Sequence, residues 1–129
     1  MTNDRKTTPE HVTSLAEYEV FVFGSNKEGQ HWGGAAKFAY DNFGAEWGVG
    51  IGMTGQSYAI PTMDGDLEII RSYVKDFNDY AKAHPEQTFL VTPIGCGIAG
   101  WRAEEIAPLF KEASRLDNVS LPESFWNII

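Results

Sequence analysis

Residues 20–36 read VFVFGSNKEGQHWGGAA, and this stretch decides the fold. Val20-Phe21-Val22-Phe23 is a short apolar run of β-branched and aromatic residues, stopped by the turn formers Gly24-Ser25-Asn26, which predicts a buried strand. Six residues later Gly33-Gly34-Ala35-Ala36 opens a stretch to Phe43 in which Ala35, Ala36, Phe38, Ala39 and Phe43 share one helical face, closed by Gly44. A strand, a glycine loop and a helix with small inward residues make the unit from which a parallel sheet is built.

The rest of the chain fits the same plan. Ser57–Ile60 reads as a short strand stopped by Pro61. Asp66 is placed to cap a helix running to about His84, because Leu67, Ile70, Val74, Phe77 and Ala81 recur at helical spacing and Pro85 follows. Thr88–Thr92 is another buried strand, leading through Pro93-Ile94 into a second glycine loop, Gly95-Cys96-Gly97-Ile98-Ala99-Gly100. A last helix is expected over Ala103–Arg115, acidic in its first turn at Glu104 and Glu105, with Pro108 kinking it or delaying its start. Asn118–Leu121 is a short strand, and the apolar tail Phe125–Ile129 is suited to docking on the body. Residues 44–56 interleave Gly44, Gly48, Gly50, Gly52 and Gly55 with apolar residues and read as an irregular strand, a wide loop or a lid. Strands alternating with helices predict an α/β fold, a three-layer α/β/α sandwich with ligands at the carboxyl ends of its strands.

Composition bounds the function. At 129 residues the chain fits one domain, read as 18–129, behind a polar, flexible N-terminal arm over 1–17 with one helical turn across Pro9–Leu15. No apolar run approaches the about 18 residues of a membrane span, and the polar start MTNDRKTTPE lacks the apolar region of a signal peptide, so a cytoplasmic protein without a membrane partner is expected. Cys96 is the only cysteine, which excludes an internal disulfide and a zinc motif of paired thiols, so neither a metal nor a cofactor is expected. A net charge of −8 with scattered lysines and arginines disfavours nucleic acid as a partner. A small anion stays compatible, because backbone N–H groups at a helix start bind phosphate without cationic side chains.

The two glycine loops are the candidate site. Gly24, Ser25 and Asn26 end one strand, and Gly33, Gly34 and Ala35 open a helix. Gly95, Cys96, Gly97, Ile98, Ala99 and Gly100 follow another strand, with Trp101 the tryptophan best placed to line a pocket and Trp32 next. Facing each other, the loops would form a cleft walled by backbone N–H groups, as a pyrophosphate requires. No lysine follows the glycines, and the GxGxxG spacing is absent after the first strand, which removes the motif support for ATP hydrolysis and hydride transfer. The candidate catalytic groups are Asn26, orienting water or a ribose hydroxyl, and His31 and Asp64, as general bases. Cys96 at a glycine turn is a weaker nucleophile candidate. Gln56 and Thr62 are polar groups able to donate to a ligand, and Arg102 is a candidate partner for phosphate.

A strand ending in Asn26, Gly33-Gly34-Ala35-Ala36 at a helix start, Tyr58-Ala59-Ile60-Pro61, a long helix and then Val91-Thr92-Pro93-Ile94-Gly95-Cys96-Gly97-Ile98-Ala99-Gly100-Trp101 resembles the macrodomain order over about residues 19–115. The phrases VFVFGSN and IGCGIAGW look closest to a small phage-associated, macro-like family. The resemblance implies an ADP-ribose-like nucleotide ligand, with Asn26, Gly33 and Gly34 on the distal ribose, Gly95–Gly100 around the diphosphate and Trp101 as a wall. It also implies a possible hydrolase acting on an ADP-ribosyl or phosphoribosyl bond. His11–Leu15 lacks the aspartate with which macrodomains hold adenine. Two other functions stay open: a non-catalytic module that binds or sequesters a nucleotide signal, and a phage-type interaction protein without a small ligand, using its apolar tail.

Overall fold

Alternation along the first strand sets the architecture of the computed structural model, which describes residues 6–31, 33–63, 65–96 and 99–129. Strand β1 spans Glu19–Ser25. Val20 and Val22 enter one apolar cluster while Phe21 and Phe23 enter another, because successive strand side chains point to opposite faces. The elements that follow are α1 (Gly34–Asn42), β2 (Gly52–Thr54), β3 (Ser57–Pro61), α2 (Leu67–Ala83), β4 (Thr88–Val91), α3 (Ala103–Ile106), β5 (Val119–Ser120) and α4 (Glu123–Trp126). The five strands form one mixed sheet in the order β2-β3-β1-β4-β5. β1 runs parallel to both β3 and β4, β5 is parallel to β4, and only β2 is antiparallel to its neighbour.

The larger cluster joins Tyr58, Ile60, Phe89 and Val91 of the sheet to Ile70, Val74, Phe77 and Ala81 of α2, the apolar stripe expected from its spacing. Asp66 caps that helix, its carboxylate accepting from the Ile69 N–H at 3.2 Å. On the other face Phe21, Phe23 and Ala59 meet Ala36, Ala39 and Phe43 around α1. Phe38, expected inward, is 38% exposed and covers the rim of this cluster, its ring 5.4 Å from that of Phe43.

Three expectations are corrected. The helix foreseen over Ala103–Arg115 breaks into α3 and two 3-10 turns, Ala107–Phe110 and Ala113–Arg115. Pro108 offers no N–H to the helical ladder and its ring crowds the preceding turn, so the α conformation stops ahead of it. Pro9–Leu15 forms no helical turn; instead Val12 and Leu15 pack on the Phe21 cluster. Further up the arm, Thr8 N–H donates to Leu121 O at 2.9 Å and Leu121 N–H to Lys6 O at 3.0 Å, extending the sheet past β5. Finally, the tail docks on the body as expected, and its Phe125, fully buried against Phe110 with centroids 5.5 Å apart, is core and so not the partner surface of the interaction reading. Among the described residues no helix is long and apolar enough to cross a membrane.

Residues 44–56 are partly strand and partly buttress. Gly44, with φ +79°, ends α1, and β2 follows. Between them the backbone lies directly on the loop after β1: Gly48 N–H donates to Gly29 O at 3.0 Å, and the buried Ser25 hydroxyl donates to Gly50 O at 2.5 Å. A Cβ on Gly50 would stand 2.0 Å from the Asn26 carbonyl oxygen, and one on Gly29 2.3 Å from Val49 N. Gly50→Ala should therefore cost about 1–3 kcal/mol through overpacking. Gly34→Ala, whose added carbon meets nothing within 4 Å, should cost about 1–2 kcal/mol through its left-handed φ alone. Thermal denaturation reads both, and an unaltered Tm in Gly50→Ala would disprove the interlock.

Candidate functional site

Parallel pairing brings the carboxyl ends of β1, β3 and β4 to one edge of the sheet, with Ser25 opposite Pro61 and Val22 opposite Val91. The ends are locked beyond the ladder. Thr62 N–H donates to Ser25 O at 2.8 Å, and both the N–H and the hydroxyl of Thr92 donate to Val22 O, at 3.1 and 2.8 Å. Gly24 is the point of convergence: a Cβ there would lie 3.1 Å from Thr62 Oγ1, 3.2 Å from Gly95 N and 3.4 Å from Ile94 Cβ. Even a methyl group there is tight, and the Thr62 hydroxyl and the Gly95 backbone would have to give by a few tenths of an ångström.

Above this floor lies a cavity of about 310 Å³. Its walls are the end of β1 from Gly24 to Asn26, Gln30, the start of α1 from Gly33 to Ala36, Thr62 and Met63 after β3, and Thr92 to Gly95 with Ala99 after β4. The start of α1 is open to it. Gly33 caps the helix with no side-chain hydrogen bond, and Gly34 takes φ +62°, a left-handed conformation suited to glycine. Among the described residues, the first-turn N–H groups there have neither a helical acceptor nor a capping side chain, and they carry the positive end of the helix dipole. None of the described lining residues bears a formal charge.

Of the residues expected from sequence, Gly24, Ser25, Asn26, Gly33, Gly34, Ala35, Gly95 and Ala99 are brought together here. Asn26 also folds its own loop: its side-chain amide donates to Gln30 O at 2.9 Å while its Oδ1 accepts from Gln30 N–H at 2.8 Å. Asp64, Gly97, Ile98 and Trp32 lie outside the described residues. Cys96, Gly100 and Trp101 do not line the cavity. Trp101 stands behind it as a strut, its indole N–H donating to Thr62 O at 2.9 Å and its backbone N–H to Gly95 O at 2.8 Å.

His31, expected as a general base, is not brought to the cavity either. Its ring is 1% exposed and caged by Phe23, Tyr40 and Trp47 at centroid distances of 5.5, 6.2 and 6.0 Å. Nε2 lies 3.0 Å from Glu46 O, so the N–H belongs on this nitrogen, and the buried Nδ1 has no hydrogen-bond partner among the described residues. The imidazole ties the loop after β1 to the 46–50 segment. Gln56 is equally structural, donating to Ala16 O at 2.9 Å and Glu19 O at 3.1 Å. Arg102 starts α3, its N–H donating to Glu105 Oε1 at 2.9 Å and its guanidinium 3.7 Å from the same carboxylate.

Thr62, weighed as a donor from sequence, does line the cavity. Gln30, Ala36, Met63 and Thr92–Ile94 were not foreseen as site residues. Their signal was positional: Gln30 lies between Asn26 and Gly33, and the others continue strands or a helix whose ends already pointed to the site. Burial pushes the Cys96 thiol up from its ordinary range, and the carboxylates of Glu104 and Glu105 push it the same way. The result opposes an activated thiolate. At neutral pH, Cys96 should alkylate more slowly than a cysteine in an unstructured peptide, with the rate climbing only above the usual thiol range; faster reaction than the peptide would reverse this assignment.

Among the described residues no three His, Cys, Asp or Glu side chains gather as a metal site. Compared with family models, curated proteins and solved structures, the chain has no match.

Proposed function

We propose that the cavity binds a phosphorylated ribose ligand of the ADP-ribose type, and that the protein is a macrodomain-like three-layer module. The observation that carries this reading is the uncapped start of α1 opening on a glycine-walled cavity at three parallel strand ends. Backbone amides and the helix dipole supply an anion site there, and close backbone approach at Gly33 and Gly34 leaves room for a sugar. Apolar clusters with helical residues on both sheet faces support the layered architecture. The order of motifs that resembles macrodomains points the same way.

Binding is favoured over hydrolysis by one observation. The described lining residues include no carboxylate and no imidazole, since His31 sits in its aromatic cage. A general base must come within hydrogen-bond reach of the proton it takes. Asp64 remains the candidate base for the hydrolytic alternative. Turnover of an ADP-ribosylated substrate by the wild type, lost in Asp64→Asn, would replace the binding module by a hydrolase. No turnover is the expected result.

Calorimetric titration with ADP-ribose, AMP and ribose 5-phosphate tests the binding itself. ADP-ribose should bind, and Gly34→Asn should weaken it about tenfold or more, because asparagine tolerates the left-handed φ while filling open space at the cavity wall. No heat from any of the three would discard the ligand class and favour an interaction protein. Salt offers a second check with a distinctive sign. The chain carries −8 overall and the described cavity lining has no cation, so screening should strengthen binding of an anion, whereas a site built on lysine or arginine would weaken.

A further inference from the structure

We infer that Met63 is the platform for the nucleobase of the ligand, so that the cavity selects a nucleotide over a bare sugar phosphate; this rests on reading the cavity as a phosphorylated-ribose site. The cavity carries polar groups along the β1–α1 connection, at Asn26, Gln30 and the first amides of α1. The neighbouring strand ends add the threonines Thr62 and Thr92 and three larger apolar residues, Met63 after β3 on one flank of β1 and Pro93 and Ile94 after β4 on the other.

Met63 stands out among these apolar residues. Ile94 is 1% exposed and belongs to the core, whereas Met63 is 50% exposed while still lining the cavity. Its N-terminal neighbour is anchored, because Thr62 is 3% exposed and held through both backbone groups, by Ser25 O at 2.8 Å and the Trp101 indole at 2.9 Å. A polarizable, unbranched side chain on a rigid root at a cavity mouth suits the face of a flat aromatic ring, which it covers without demanding a particular edge pattern. An anionic ligand with such a ring meets the first amides of α1 and Met63 at once. A sugar phosphate alone leaves Met63 in water.

The test is a titration of wild type, Met63→Ala and Met63→Leu with ADP-ribose and with ribose 5-phosphate. The wild type should bind ADP-ribose more tightly than ribose 5-phosphate. Met63→Ala should weaken ADP-ribose about fivefold and leave ribose 5-phosphate unchanged, and Met63→Leu should restore most of the loss. Equal weakening of both ligands, or none for ADP-ribose, would overturn the platform while leaving the ribose-phosphate site standing. Failure of both ligands to bind the wild type would overturn the underlying site and the platform with it. Half-exposed Met63 lies outside the core, so an unchanged Tm is expected in both variants and separates a binding effect from a folding one.

Discussion

The structure depends on β1 pairing in parallel with β3 on one side and β4 on the other. A slip of one residue would exchange Val20 and Val22 with Phe21 and Phe23 between faces, setting the bulky rings against α2 and leaving α1 without its partners. The pairing also places Gly24 where the three strand ends meet, so the register that builds the core builds the cavity floor too. Core and site are thus specified by the same ladder, and neither can be altered at β1 without the other.

On this floor the site wall is made of backbone, and backbone walls need outside support. The loop after β1 has it from two directions. Asn26 closes the loop internally across Gln30, and the 46–50 segment braces it externally through Gly29, Ser25 and His31. Glycine at 29 and 50 allows the two chains to touch at distances no side chain permits. A loop supported in this way presents its amides already oriented, which lowers the ordering cost a ligand must overcome.

The parts of this arrangement visible in the sequence are those with local causes. The runs at Val20–Phe23 and Thr88–Val91, the stripe from Leu67 to Ala81 and the Asp66 cap each follow from neighbours in the chain, and the structure has the corresponding elements. Glycine loops after two strands likewise announced the shared edge. Residues 44–56 stayed ambiguous because Gly48 and Gly50 answer to a loop some twenty residues earlier, a contact that no periodicity reports. His31 and Trp101 misled for a related reason. A histidine or tryptophan beside a glycine loop has the chemistry of a site residue, and only tertiary packing decides that one enters an aromatic cage and the other braces Thr62.

That division has a chemical consequence. Three of the ionisable and aromatic side chains near the two loops make structural contacts: His31 on Glu46 O, Trp101 on Thr62 O, Arg102 on Glu105. The described cavity wall keeps amides, small hydroxyl and amide side chains, and one exposed thioether. Such a surface recognises shape and partial charge more readily than it transfers protons. A neutral wall in an acidic protein also makes an anion's affinity depend on dipoles at short range, since the long-range field opposes its approach. On the proposed reading, selectivity rests on complementarity along the whole ligand, phosphate against the helix start and apolar ring against the neighbouring strand end. On that reading, the polypeptide geometry that keeps charged side chains off the described cavity wall favours a two-ended ligand.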